Sequence, residues 1–236
     1  MPRMTNPLPI VLVPGLTCTA RLYTDQIPHL WRFGPVTIAD HTRDDSMPAI
    51  ARRILADAPP RFALAGLSMG GYISFEIMRQ APHRVTKLAL LDTGARADTP
   101  EQTERRKVVI GLAKSGRYAE VPDVAFPVYV HRKRHGDAAL KHIVRTMAEE
   151  TGVEAFLRQQ QAIIGRPDSR PGLGAITCPT LVLVGEGDEA TPPELAREIA
   201  SGIAGASLVT IPESGHLSTL EQPAAVTAAL VQWMKS

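Results

Sequence analysis

The chain has 236 residues, 44% of them hydrophobic and 21% charged, with a formal net charge of +2. That length suits one large α/β domain with a sizeable core, and the composition excludes a disordered chain. The small net charge gives no electrostatic reason to expect a nucleic acid or a membrane surface as the main partner. Only two cysteines occur, Cys18 and Cys178, without framework or metal-ligand spacing, and they read as free thiols of a cytoplasmic protein. The apolar run at Leu8–Val13 is too short for a signal peptide. No run reaches the roughly 20 apolar residues of a membrane span.

The predicted elements begin with Pro9–Val13, a continuous apolar run suited to a strand buried on both faces. It ends in the turn Pro14-Gly15-Leu16-Thr17, and Thr19 reads as the N-cap of a helix to about Trp31. Pro35–Ala39 is a second strand, followed by a polar loop from Asp40-His41 to Ser46. Ser46-Met47-Pro48 opens a helix with Ile50, Ile54 and Leu55 at helical spacing. Arg61–Ala65 is a third strand, and Gly71–Met78 a helix that closes at Ala81-Pro82. Val85–Leu91 is a fourth strand, ended by Asp92-Thr93-Gly94. This alternation predicts a parallel sheet with right-handed crossovers.

The alternation stops between about Ala95 and Ala175, a helical insertion too long for a loop. Thr99-Pro100-Glu101-Gln102 has the capping-box form, with the helix ending near Ser115-Gly116. Leu140, Ile143, Val144 and Met147 mark a second amphipathic helix, and Val153, Phe156, Leu157 and Gln160 a third. Alternation resumes with a strand at Pro179–Val184, a helix capped by Thr191-Pro192-Pro193-Glu194, and a last strand at Ala206–Ile211. The closing helix, from about Pro223 to Lys235, turns Val226, Leu230 and Trp233 to the sheet.

Between the third strand and its helix stands Gly66-Leu67-Ser68-Met69-Gly70, the G-x-S-x-G pattern of a nucleophile elbow. Gly66 and Gly70 remove β-carbons where strand and helix approach closely. Ser68, Asp188 and His216 each follow the end of a different predicted parallel strand, the edge where such sheets gather catalytic groups. A serine hydroxyl is a weak nucleophile, so a histidine must take its proton, and a carboxylate must hold the imidazolium that results. Asp188 is the expected acid and Asp92, which also ends a strand, the alternative, with a turn cap on Gly94 as its structural role. The expected oxyanion donors are the backbone N–H groups of Met69 and Leu16.

With these residues the sequence resembles the α/β-hydrolase superfamily, in particular its small, cofactor-free, esterase-like members. The resemblance rests on Val13-Pro14-Gly15-Leu16, the elbow, Gly185-Glu186-Gly187-Asp188 with Thr191-Pro192-Pro193, and Ser214-Gly215-His216 with Glu221-Gln222-Pro223. Two departures stand out. Many members carry His-Gly where this chain has Pro14-Gly15, and many begin with a strand hairpin that the leader Met1–Pro7 is too short to supply. The resemblance implies an α/β-hydrolase fold: a mostly parallel sheet of about six strands flanked by helices. Residues 1–94 and 176–236 would form the core, and residues 95–175 a helical cap. It implies a serine hydrolase, a carboxylesterase first of all, that needs neither metal nor organic cofactor. Relatives use the same triad for carbon–carbon bond hydrolysis, elimination or perhydrolysis, and some act as ligand sensors.

Other residues receive quieter readings. Met69, Phe126, Met147 and Phe156 are candidate walls of a modest apolar pocket, and aromatics at 5% of the chain argue against a large cleft for polymers. His29, His41, His83, His131, His135 and His142 read as surface residues. The run His131-Arg132-Lys133-Arg134-His135 reads as a solvated face, with attraction of an anionic substrate as the alternative. Cys18 reads as a packing residue. The expected partner is a small ester, and the chain is expected to be a monomer or homodimer.

Overall fold

The computed structural model describes residues 7–236; the expectation about the leader falls mainly on residues 1–6, outside the described residues. Six strands form one sheet: β1 (Ile10–Val13), β2 (Val36–Ile38), β3 (Phe62–Leu67), β4 (Val85–Leu91), β5 (Thr180–Gly185) and β6 (Ser207–Ile211). Their order is β2-β1-β3-β4-β5-β6, and every pairing is parallel. Ten α-helices accompany them: α1 (Ile27–Leu30), α2 (Met47–Asp57), α3 (Met69–Gln80), α4 (Pro100–Leu112), α5 (Val121–Tyr129), α6 (Ala138–Thr151), α7 (Val153–Ile164), α8 (Pro193–Gly202), α9 (Ser218–Glu221) and α10 (Pro223–Lys235). Among the described residues no helix is long and apolar enough to cross a membrane.

The continuous apolar strands follow from burial on both faces. Side chains alternate along a strand. Val11, Leu64, Leu90 and Val182 therefore meet α2, α3 and α8 on one face. Ile10, Leu12, Ala65 and Leu183 meet α10 and the inserted helices α5 and α6 on the other. The chain leaves β1 for the edge strand β2, then returns to β3 on the other side of β1. Outgoing connections thus diverge between β1 and β3, opening the crevice where open parallel sheets bind ligands. The turn after β1 and the elbow after β3 are its two walls.

The insertion is built of α4–α7, all between β4 and β5. The Thr99 capping box forms, with Thr99 Oγ1 accepting from Gln102 N at 3.2 Å and Gln102 Oε1 accepting from Thr99 N at 3.0 Å. Three expectations need correction. The helix expected from Thr19 to Trp31 is a 3₁₀ turn, Ala20–Tyr23, and the short α1; Thr19 Oγ1 still accepts from Arg21 N. Helix α5, which carries Pro122 and Pro127, was not among the expected elements. Pro122 sits in the first turn, where its missing N–H costs nothing, while Pro127 lies inside the helix and forgoes its bond to Asp123 O, with two helical residues after it. Thr191 does not cap α8, whose N-cap is Pro192; its hydroxyl is turned to Asp188.

Candidate active site

The elbow holds its serine under strain. Ser68 has φ 56° and ψ −115°, a conformation a side-chain-bearing residue adopts only when its surroundings enforce it. Ser68 N–H donates to Leu91 O at 2.9 Å, and Thr93 Oγ1 donates to Ser68 O at 2.8 Å. The two elbow glycines are required by contact. A β-carbon on Gly66 would stand 2.2 Å from Gly70 O, and one on Gly70 would stand 2.0 Å from Val13 O. The result is a half-buried hydroxyl at the start of α3, where the helix N-terminus favours negative charge.

Three side chains from three strand ends meet here. Ser68 Oγ lies 2.8 Å from His216 Nε2, and His216 Nδ1 lies 2.9 Å from Asp188 Oδ2. Asp188 is fixed in turn: its Oδ1 accepts from Ala190 N at 2.9 Å and Thr191 N at 2.8 Å, while Thr191 Oγ1 donates to its Oδ2 at 2.7 Å. Burial of His216 opposes its charged form, but the facing Asp188 carboxylate outweighs that, and the imidazole pKa is raised above its ordinary 6.5.

Asp92 does not reach His216 with a hydrogen bond. Its Oδ1 accepts from Gly185 N at 2.8 Å and its Oδ2 from Ser218 Oγ, so it ties the ends of β4 and β5 to α9. This also differs from the expected cap on Gly94. Full burial, and then the nearby Asp188 charge, push the Asp92 carboxyl well above the usual range.

The turn after β1 faces the elbow: a β-carbon on Gly15 would touch Ser68 Cβ at 3.4 Å. Among the described residues, the N–H groups of Leu16 and Met69 have no hydrogen-bond acceptor. Both are therefore free to receive an oxyanion. His41, expected at the surface, is only 3% exposed. Its Nε2 lies 2.9 Å from Gly15 O. A carbonyl oxygen only accepts, so Nε2–H is the donor, and desolvation lowers the His41 pKa. Gly15 C=O and Leu16 N–H belong to one trans peptide and point in opposite directions. A ring that grips the carbonyl from behind therefore directs the N–H forward. The sequence signal was slight: His41 follows Asp40 just past the end of β2, on the catalytic edge.

The insertion reaches the site from above. Gln159 Oε1 of α7 accepts from Thr17 N at 3.1 Å, while its buried Nε2 has no acceptor among the described residues. Tyr129 O at the end of α5 accepts from both His216 N at 3.0 Å and Leu217 N at 3.1 Å. Glu221 closes the same seam, accepting from Gly215 N at 2.8 Å and His131 N at 2.7 Å.

A small cavity borders Ser68, and a larger cleft shares two of its walls. A cavity of about 10 Å³, room for about one water, is bordered by Gly15, Leu16, Ser68, Tyr129 and His216. Leu16 and Tyr129 also line a cleft of about 460 Å³ between α4, α5, α6 and α7, walled by Val121, Val128, Val144 and Phe156. Of the expected pocket residues, Phe156 faces this cleft. Met69, Phe126 and Met147 do not; each is at most 2% exposed and packed in the core. Their apolar character serves the packing of α3, α5 and α6 against the sheet. Cys18 is a buried packing residue whose thiol burial pushes up to about 12, too high for a nucleophile. His29, His83, His135 and His142 are exposed, and His131 is half-buried. Among the described residues no group of three or more His, Cys, Asp or Glu could hold a metal ion.

A parallel six-stranded sheet, an elbow serine and a histidine on a following strand-end loop define the α/β-hydrolase class. Residues 10–230 match the sequence profile of the alpha/beta hydrolase family, and the chain belongs to that family. It is 30% identical over 194 residues to a Mycobacterium tuberculosis protein named "Putative non-heme bromoperoxidase BpoC", spanning 76% of this chain and 69% of that one. A thermophilic esterase from Thermogutta terrifontis superposes with a TM-score of 0.87 at 30% identity, covering 97% of this chain and 89% of that one. The enol-lactonase from Burkholderia xenovorans LB400 gives a TM-score of 0.87 at 25% identity, covering 99% and 94%.

Proposed function

We propose that the protein is a serine hydrolase that cleaves carboxylic esters of small to medium acyl groups through an acyl-enzyme. The observation that carries this reading is the unbroken relay Ser68–His216–Asp188, with contacts of 2.8 Å and 2.9 Å. Ser68 Oγ attacks the ester carbonyl carbon while His216 Nε2 takes its proton. Asp188 steadies the imidazolium. The carbonyl oxygen becomes an oxyanion facing the free N–H groups of Leu16 and Met69. The tetrahedral intermediate collapses, its C–O bond to the alcohol breaks, and His216 returns the proton to the leaving alkoxide. Water, deprotonated by the same imidazole, then hydrolyses the acyl-enzyme and restores Ser68. These steps use only side chains, backbone and water.

The insertion supplies a cap over Ser68 in this reading, and the cleft beneath it sets the acyl size. Its volume of about 460 Å³ falls within the range of pockets for small organic ligands. The likeness to an esterase and an enol-lactonase, both cleaving acyl–oxygen bonds by name, agrees with this chemistry. Short and medium acyl esters are expected to be preferred over palmitate.

The test is a panel of p-nitrophenyl esters of graded acyl length, beside Ser68→Ala. The variant should fold, lose several orders of magnitude in kcat/KM, and escape a fluorophosphonate probe that labels the wild type. Labelling at a different serine would overturn the site. Labelling at Ser68 without turnover of any ester would transfer the reading to carbon–carbon bond cleavage or ligand sensing.

A further inference from the structure

The apolar cleft carries one feature that hydrolysis of a simple ester does not use. Its α4 wall holds two consecutive arginines, Arg105 and Arg106. We propose that these form an anion subsite, and that the natural substrate is an ester or lactone with a carboxylate at the end remote from the scissile bond. This rests on the ester-hydrolase reading above.

Arg106 is held in place. Its Nε donates to the Asp98 carboxylate at 3.1 Å and its Nη1 to Gln160 Oε1 at 3.1 Å. Its Nη2 has no acceptor among the described residues. Both supports are buried: the Asp98 side chain is 1% exposed and Gln160 2% exposed. Asp98 does not neutralise the site, because Arg166 Nη1 also binds it, at 2.6 Å. One carboxylate shared by two guanidiniums leaves a net charge of +1 beside an apolar cleft. Arg105 adds a second; it is exposed on the cleft and makes no ion pair within 4 Å among the described residues.

The cleft and the reaction centre share a wall. Tyr129 borders both the cleft and the cavity at Ser68, and its ring centroid lies 5.4 Å from that of His216. A guanidinium fixed at Nε and Nη1 with Nη2 still without an acceptor can give a charge-assisted hydrogen bond to a carboxylate. The one acid on the cleft, Glu189, lies on the β5–α8 loop that carries Asp188, not on α4. It repels an anion from the triad end and leaves the arginine end to receive it.

The basic run at 131–135 does not serve this purpose. Arg132 and Lys133 border a different hollow that also holds Glu186, Glu189 and Glu213, and Lys133 is paired with Glu213.

The experiment compares p-nitrophenyl hexanoate with the p-nitrophenyl monoester of adipic acid, which differs by a terminal carboxylate. Wild-type protein should favour the adipate ester by about tenfold or more in kcat/KM, as charge-assisted hydrogen bonds of this kind allow. The preference should sit in KM and shrink with added salt. Arg105→Gln, on an exposed helix face, should reduce the adipate-to-hexanoate ratio, and Arg105→Gln/Arg106→Gln should bring it to about one or below. Arg166 still partners Asp98 in the double variant, and circular dichroism checks its fold. A wild-type preference for hexanoate, or an adipate preference that survives in the folded double variant, overturns the subsite. If neither ester turns over, the ester-hydrolase reading fails, and the subsite is decided by calorimetry of monomethyl adipate on the same proteins. Binding by the wild type and loss in the folded double variant supports it; no binding by the wild type, or equal binding by both, overturns it.

Discussion

Replacing Asp188 by asparagine tests the relay at its most constrained point. Oδ1 accepts two backbone N–H bonds, from Ala190 and Thr191, whereas Oδ2 faces Thr191 Oγ1 and His216 Nδ1. An asparagine amide has one acceptor oxygen, and the two backbone donors claim it. Its NH₂ must then point at His216 Nδ1. Two donors cannot share that contact, so the imidazole is driven to carry its proton on Nε2, 2.8 Å from Ser68 Oγ. It then donates to the serine instead of accepting from it, and the base is lost. A triad held in the wrong tautomer loses about 10⁴-fold in rate, equivalent to about 5.4 kcal/mol.

The pH profile adds a second readout. In the wild type the raised imidazole pKa places the acid limb of kcat/KM above 6.5, since His216 must be neutral to act. Without the Asp188 charge, burial dominates and the residual activity should keep its plateau to lower pH. The assay is kcat/KM on p-nitrophenyl butyrate between pH 5 and 9, with Asp92→Asn beside it. A loss below tenfold in Asp188→Asn, or a larger loss in Asp92→Asn, would refute the assignment of the acid.

Two further outcomes are expected. His41→Phe removes one of the two donors on Gly15 O, leaving Cys18 N–H, and should lower kcat by about 10-fold with KM little changed, less than outright loss of an oxyanion donor. His41→Gln, which retains an N–H, should recover part of it in steady-state kinetics; a wild-type kcat in the phenylalanine variant would remove His41 from the positioning of the turn. Gly70→Ala drives a β-carbon into the backbone at Val13 O and should cost about 3 kcal/mol or more, measured by urea unfolding.

Most of the sheet could be read in the sequence because its strands are buried on both faces, and continuous apolar runs such as Ile10–Val13 and Thr180–Gly185 have few other uses. The elbow was legible for a related reason: its glycines are demanded by backbone contact, which leaves a fixed spacing. Asp188 was the expected acid on its motif context, but Asp92 stayed open because both end strands; the direction of their carboxylates separates them. Helix α5 carries two prolines, one at the permitted first turn and one inside it, which weakens any helical pattern in its sequence. His41 was illegible because a single buried histidine has no periodicity, and its partner, a carbonyl 26 residues away, leaves no trace in residue type. The arginine pair on α4 carries no motif in the sequence; only the fold sets it beside an apolar cleft.

The seam between α5 and the histidine loop bears on how this protein selects among substrates. Tyr129 O holds the N–H groups of His216 and Leu217, and the helix that ends there forms one wall of the cleft. The wall that gauges a substrate and the loop that carries the proton acceptor are one mechanical piece. A substrate too broad for the cleft has to push α5 aside, and the push is transmitted through two hydrogen bonds to the imidazole. On the proposed function such a molecule would still bind, but to a protein whose base is pulled off its serine. Poor fit would then be penalised in turnover as well as in affinity, and the inserted helices would act as a gauge coupled to the reaction instead of a passive lid.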